Sequence, residues 1–309
     1  MSDAPAEHIP VLTDSVLTYL RVAPGDVVLD ATVGLGGHAS RLGEAAGETG
    51  LLIGVDADAD NLAIADRQLQ ACPATVRLFH ANFARVDEVL NEASVEGVDV
   101  ALADLGVSSN QLEDAARGFS FAAGGPLDMR LDRTRGRTAA DLVNALREEE
   151  LSDLIYFNSQ ERFSRRIARR ICEARRNKRI TTTDELARLV TDALGVDADA
   201  RASKIHPATR TFMALRIAVN DELNALRTFL EKAAGVLKPG GRIAVIAFHS
   251  LEDGIVKRDF AARKQAGRYR ILTKRPVIAE PAEREANPRS RSAKLRAAER
   301  TDAARESHA

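Results

Sequence analysis

The 309-residue chain predicts a doubly wound α/β fold: a parallel sheet covered by helices on both faces and interrupted by a helical insertion. Three observations carry this expectation. Short apolar runs that end in a polar residue alternate with helix-period segments through the first third, the pattern that builds βαβ units. A glycine-rich turn directly follows the first of these runs. After Leu105 the strand rhythm stops, and it returns only at residues 242–248.

The strands are expected at 27–32 (VVLDAT), 51–56 (LLIGVD), 76–80 (VRLFH) and 98–104 (VDVALAD). Between the second and third, residues 60–70 bring Leu62, Ile64, Ala65 and Leu69 onto one apolar stripe of a helix. The insertion opens with a loop-like segment, 118–130, and ends near His206 and Pro207, because the residue before a proline rarely continues a helix. Residues 209–237 then read as one long amphipathic helix, with Phe212, Leu215, Ile217, Val219, Leu223, Leu226 and Leu230 among its apolar positions. Residues 237–241 (LKPGG) turn into a fifth strand at 242–248. The expected organisation is a sheet domain from 1–112 and 207–300, an inserted helical domain over 113–206, and a frayed tail at 301–309.

Composition narrows the function classes. At 45% hydrophobic residues the chain can bury a sizeable core, and 44 basic residues nearly cancel 45 acidic ones, so any nucleic-acid footprint has to be local. Cys72 and Cys172 form no CxxC pair, which argues against a zinc site or a disulfide framework and fits a reducing cytoplasm. The first ten residues lack the pattern of a secretory signal. The longest strongly apolar stretch, 243–248, is too short to span a membrane, so a soluble protein is expected.

The turn after the first strand carries Gly34, Gly36, Gly37 and His38. Ligands of doubly wound sheets bind at the carboxyl ends of the strands, where glycine lets the backbone approach a bulky group. Asp56 ends the second strand twenty residues beyond Gly36, a spacing at which a carboxylate can accept hydrogen bonds from a ribose. Asp58 and Asp60 read first as helix caps. Phe83, after the third strand, reads either as core or as a cover for an adenine. Asp104 ends the fourth strand, where it could hold an ammonium or a substrate amine. NAD and S-adenosylmethionine both suit this turn, but a dinucleotide usually needs a second mononucleotide-binding half, which the insertion interrupts here.

Local charge supplies the footprint that the overall balance lacks. Residues 159–180 hold nine cations against two acids. Phe163, Ile167 and Ile171 recur every four residues as a packing face, leaving Arg162, Arg165, Arg166, Arg169 and Arg170 for phosphates. Arg289, Arg291, Lys294 and Arg296 form a second basic cluster. The bland alternative for both is a solvated surface.

Six motifs in order resemble one family: TVGLGGH (32–38), DLGVSSNQL (104–112), GFSF with GPLDMR (118–130), HPATRTF (206–212), FHSLED with IVK (248–257) and NPRSRSAKLR (287–296). Together they are similar to the RsmH, or MraW, family over nearly the whole chain. The resemblance implies a Rossmann-like S-adenosylmethionine-dependent methyltransferase with a helical domain inserted after the fourth strand. It also implies methylation of N4 of a cytidine in the decoding region of 16S ribosomal RNA. The partner would be the small ribosomal subunit or its assembly intermediate, with a homodimer left open. Carried over by position, the cofactor contacts fall on Gly36, Gly37, His38, Asp56, Phe83, Asp104 and Gln111. Asp56 would hold the ribose, Phe83 would lie by the adenine, and Asp104 with Gln111 would sit near the methionine end and the target. The Asp/Asn/Ser-Pro-Pro-aromatic motif of many amino-methyltransferases is absent. Asp104, Leu105, Gly106 and Val107 stand in its place.

Cytosine N4 is a poor nucleophile, because its lone pair is delocalised into the ring. An acceptor for an N4 hydrogen would stabilise charge as it develops, and Asp104 is the first candidate. His249 and Ser250 lie at the same end of the sheet, with capping as the alternative for the histidine. A sulfonium donor requires no metal, and none is expected. Two other classes stay open: a nicotinamide-dependent oxidoreductase and a non-catalytic RNA-binding assembly protein.

Overall fold

A computed structural model describes residues 10–122, 124–195 and 206–301. The expected tail lies outside them from 302 onward. The chain divides into two compact units, Met1–Gly106 with Leu223–Ala309 and, between them in sequence, Val107–Glu222. The division therefore falls earlier and later than the expected 113–206. Gln111, placed with the sheet by the sequence, belongs to the helical unit.

The first unit begins with α1 (Thr13–Leu20), β1 (Val27–Asp30), α2 (Gly37–Ala46), β2 (Leu51–Asp56), α3 (Ala59–Gln68), β3 (Thr75–His80), α4 (Val86–Glu92) and β4 (Val98–Asp104). Asp58 caps α3, its side chain accepting from the Asp60 amide at 3.0 Å. The second unit holds α5 (Ser109–Glu113), α6 (Ala139–Ala145), α7 (Glu148–Ser159), α8 (Ser164–Arg175), α9 (Thr183–Leu194) and α10 (Thr209–Asn220). Among the described residues it contributes no strand to the sheet, and its core comes from its own segment: Leu127, Met129, Leu151, Ile155, Ile167, Ile171, Leu186 and Leu215 are all buried together. The first unit then resumes with α11 (Glu222–Val236), β5 (Leu237–Ala247), α12 (Ser250–Gln265), β6 (Tyr269–Ile271), α13 (Pro281–Ala286) and β7 (Lys294–Arg300).

Three expectations are corrected. The single helix over 209–237 is two helices, because Asp221 takes a left-handed backbone (φ 50°) that ends α10. A short polar side chain tolerates that conformation better than most. The sheet also has two strands that the sequence reading missed, β6 and β7. The strand order is β3-β2-β1-β4-β5-β7-β6, with β7 antiparallel to both neighbours and the pairs among β1 to β5 parallel. The expected turn at 237–241 is the irregular start of β5, where the register against β4 shifts.

Both faces of the sheet are covered, which is why its strands read as nearly continuous apolar runs. Leu29, Ile53, Ala101, Ile243 and Val245 pack with Leu90, Phe229 and Phe260 on one face. Val28, Leu52, Val100, Leu102 and Ile246 pack with Val16, Ala39, Leu42 and Ala65 on the other. Strand residues alternate between the faces, so Asp30, Asp56 and Asp104 all share the parity of the second face, the one that α2 covers. Asp30 pairs with Gly54 and with Leu102 in register, so Asp56 and Asp104 each lie two residues beyond it.

Candidate active site

The site is built at the carboxyl ends of β1, β2 and β4. Gly36 precedes α2 with φ 93°, a conformation that a side chain rarely adopts, and its open turn lets the helix start immediately after the strand. Gly37 is the first residue of α2, and a Cβ there would meet the Pro10 ring at 3.2 Å, so packing also favours glycine at this position. The Gly34 amide donates to Asp56 Oδ2 and the Asp58 amide donates to Asp56 Oδ1, each at 2.8 Å. Asp56 thus ties the glycine turn to β2 while keeping lone pairs for further donors.

Asp104 is tied to the same turn from the other side, its amide donating to Thr32 Oγ1 at 2.7 Å. Its Oδ1 is sealed from solvent and has no hydrogen-bond partner among the described residues, although the side chain as a whole keeps 24% exposure. His38, buried in the first turn of α2, brings Nε2 to 3.6 Å from Asp104 Oδ2. Asp30 is the residue that the sequence reading missed. It is 1% exposed, accepts from the Thr32 amide at 3.2 Å through Oδ1, and leaves Oδ2 without a partner among the described residues. The available signal was an acid closing an otherwise apolar strand one step before the glycine turn.

Burial dominates the ionisation of these groups. It lifts Asp30 to about 7 against the pull of the Thr32 amide, with the charge of Asp56 adding to the rise. Burial also lifts Asp56 to about 6, opposed by the Asp58 and Gly34 amides. Asp104 is raised well above the ordinary carboxylate range by burial and then by the charges of Asp30 and Glu252. Sealed carboxylate oxygens that repel one another form a site whose natural complement is a cation.

The remaining expected residues are placed as follows. Phe83 opens a short turn after β3 and meets Phe229 edge-to-face at 5.5 Å, half-buried against the core. Gln111, in the helical unit, acts locally, its Oε1 accepting from the Ser108 amide at 2.9 Å in the capping box of α5. His249 is the N-cap of α12, with Nδ1 accepting from the Glu252 amide at 3.3 Å while Glu252 Oε2 accepts from the Phe248 amide at 2.8 Å. That geometry supports capping for the histidine.

In the helical unit Arg162, Arg165, Arg166 and Arg169 are exposed and Arg170 is half-buried. Arg169 pairs with Glu148 at 3.6 Å and Arg170 with Asp192 at 3.2 Å, whereas Arg162, Arg165 and Arg166 form no ion pair among the described residues. Ile167 and Ile171 are buried as expected. Phe163 is not: it precedes the helix, so the four-residue period does not govern it, and it stands 55% exposed. In the first unit Arg289 and Arg291 sit in a short turn before β7, half-buried and exposed respectively. Arg296 of that cluster is 8% exposed and held by Asp253 at 2.6 and 3.2 Å, which removes it from the available cations.

The sheet order, the glycine turn against α2 and the acids at the strand ends define a Rossmann-like protein of the methyltransferase class. The MraW methylase family model matches residues 5–301, and the chain belongs to that family. The ribosomal RNA small subunit methyltransferase H of Syntrophotalea carbinolica is 47% identical over 310 residues, covering 95% of this chain and 98% of that one. The protein of the same name from Syntrophobacter fumaroxidans is 45% identical over 316 residues, covering 97% of this chain and 98% of that one. Among the described residues no helix is long and apolar enough to cross a membrane.

Proposed function

We propose that this chain transfers a methyl group from S-adenosylmethionine to N4 of a cytidine in the decoding region of 16S ribosomal RNA, within the small subunit or an assembly intermediate. The observation that carries the reading is Asp104, a carboxylate at the end of β4 whose Oδ1 is sealed and has no hydrogen-bond partner among the described residues, beside a similarly placed oxygen on buried Asp30. The names of the relatives, ribosomal RNA small subunit methyltransferase H, support the substrate class.

The residues present fit the cofactor. Its sulfonium and ammonium groups are cationic, and the sealed oxygens of Asp30 and Asp104 would otherwise repel each other without compensation. Asp56 would accept from the ribose hydroxyls beside its two backbone donors, the turn over Gly36, Gly37 and His38 would line the approach, and Phe83 would lie by the adenine. Gln111 is the remaining cofactor contact of this reading. When bound, the sulfonium supplies an already activated methyl group, so no Lewis acid is needed.

Asp104 Oδ1 accepts a hydrogen of the target amine. This draws the nitrogen toward a tetrahedral arrangement and stabilises the positive charge that grows on it. Burial and the charge of Asp30 raise the proton affinity of Asp104, so the same carboxylate can take the proton that the methylated amine releases. His38 orients Asp104 through the 3.6 Å approach to Oδ2. In a second reading, favoured by the adjacent Asp30, Asp104 serves only to neutralise the cationic end of the cofactor. Exposed arginines of the helical unit, Arg162, Arg165, Arg166 and Arg169, with Arg170, Arg289 and Arg291, would meet RNA phosphates, and the target base would leave its stack to present N4.

The decisive experiment is transfer of radiolabelled methyl from S-adenosylmethionine to small subunits that lack the modification, followed by nucleoside analysis. N4-methylcytidine at one site is the expected product. Cofactor binding without transfer would overturn the substrate, and absence of cofactor binding would overturn the reaction.

A further inference from the structure

The helical unit concentrates its exposed aromatic surface at one corner. Tyr156, Phe157 and Phe163 are 49%, 66% and 55% exposed, and they are the three large aromatic side chains exposed among the described residues. All three fall within eight successive residues that form the end of α7, the turn at Gln160 and the residue preceding α8. The Tyr156 and Phe157 rings already meet edge-to-face at 5.4 Å. Aromatic rings left in water gain nothing for the fold, and a cluster of them marks a contact surface.

The charge beside them is mostly positive. Arg162, Arg165 and Arg166 follow directly, exposed and without an ion pair among the described residues. Glu161, the acid in the turn, is 6% exposed and faces inward, accepting from the Phe163 amide at 3.0 Å and lying 3.7 Å from Arg210. Asp153, one turn back on α7, is the exposed acid on that side. The first turn of α8 carries no acid, so its arginines sit at the positive end of the helix dipole, where stability disfavours them. The fold explains neither the rings nor the placement of these cations.

Planar apolar faces beside guanidinium groups that form no ion pair among the described residues match the chemistry of an unpaired nucleic-acid strand, which offers bases to stack and phosphates to pair. We propose that the α7–α8 corner is a stacking platform for single-stranded RNA. It would bind an unpaired stretch of the substrate through Tyr156, Phe157 and Phe163, with Arg162, Arg165 and Arg166 on its phosphates. This rests on the RNA-methylating function proposed above and adds where and in what form the RNA is held. A duplex buries its base faces and fits the corner only through charge.

The test is fluorescence anisotropy of the full chain with a short labelled oligoribonucleotide of mixed sequence, single-stranded or annealed to its complement. The wild type binds the single strand more tightly. The double variant Phe157→Ala with Phe163→Ala weakens single-strand binding by about tenfold or more and leaves duplex binding unchanged. Phe157→Leu with Phe163→Leu, apolar but not planar, loses the same preference, which separates stacking from simple burial. Arg162→Gln, Arg165→Gln and Arg166→Gln together weaken both ligands and lower the salt slope for the single strand by about 2. Circular dichroism and melting verify that these surface variants fold. Ring variants with unchanged single-strand affinity would overturn the platform. So would ring variants that instead abolish self-association in sedimentation, since the surface would then join two copies of the chain. Methylation of small subunits is measured in parallel. Intact methylation with unaltered RNA affinity in the ring variants sinks the platform alone, whereas ring-dependent RNA binding without any methylation sinks the proposed reaction alone.

Discussion

The two units handle charge in opposite ways. In the sheet unit the proposed functional charges are negative and few: Asp30, Asp56 and Asp104 stand at the strand ends, and burial raises all three above the ordinary carboxylate range. In the helical unit they are positive, numerous and exposed, with Arg162, Arg165 and Arg166 spread along a surface helix and its approach. A buried carboxylate acts over a few ångströms and is little screened, which suits a small cation and a single proton. An exposed arginine array acts over a Debye length and is weakened by salt, which suits a polyanion. A net charge of −1 conceals both.

The contrast between the units is most exposed to challenge at Asp104. Asp104→Asn is expected to lower single-turnover methyl transfer by about 100- to 1000-fold while cofactor affinity falls far less. A parallel loss of cofactor affinity would assign the residue to cofactor neutralisation instead. Salt separates the units next. RNA affinity should drop by about 10- to 100-fold between low and physiological salt, while cofactor affinity barely moves, as titrations of both ligands would show.

Acidity probes the sheet unit alone. An unfolded Asp loses its proton near the ordinary value, whereas folded Asp30 keeps its proton up to about 7 and Asp56 up to about 6. The folded state therefore holds more protons across that interval, and the ligand-free protein loses stability as the pH rises from about 4 to about 7. Binding a cation favours the ionised acids, so the affinity for S-adenosylmethionine should rise over the same interval by about tenfold. Asp30→Asn flattens both trends. S-adenosylhomocysteine, without the sulfonium charge, shows the weaker pH dependence in calorimetry. The smallest effect belongs to the paired arginines: Glu148→Gln and Asp192→Asn should change stability by about 0.5 kcal/mol or less while raising RNA affinity slightly.

Much of this was legible in residue patterns. The first four strands announce themselves because both faces of the sheet are covered, and the helical unit does so because its apolar positions repeat at helix period. The break at Asp221 was hidden because the apolar period runs on through it, and one left-handed residue leaves no trace in hydrophobicity. β7 was missed because KLRAAER has charged ends and small interior residues, and one buried position is Arg296, admitted only through its pairing with Asp253. β6 has three residues, too few to show a period. At the site, the glycine turn, Asp56 and Asp104 could be read from spacing. Asp30 fell inside the expected strand 27–32, and nothing in sequence says that both its neighbours across the sheet also lead to acids. Phe163 matched a period that belongs to a helix it only precedes.

The place of β7 in the sheet has a consequence for synthesis. The strand lies between β5 and β6 and is hydrogen-bonded to both, yet it is encoded after either. A chain emerging from the ribosome presents its four neighbouring parallel strands first and then the whole helical unit, whose core is self-contained and can close at once. β5 follows with Ile243, Val245 and Ile246 in place and its outer edge bare until residues 294–300 arrive. Through that interval the nascent sheet carries an unpaired apolar edge, the kind of template on which chains aggregate. The last strand of the sheet therefore acts as a seal, and a product truncated just short of it would retain a complete helical unit beside a sheet open to any passing strand.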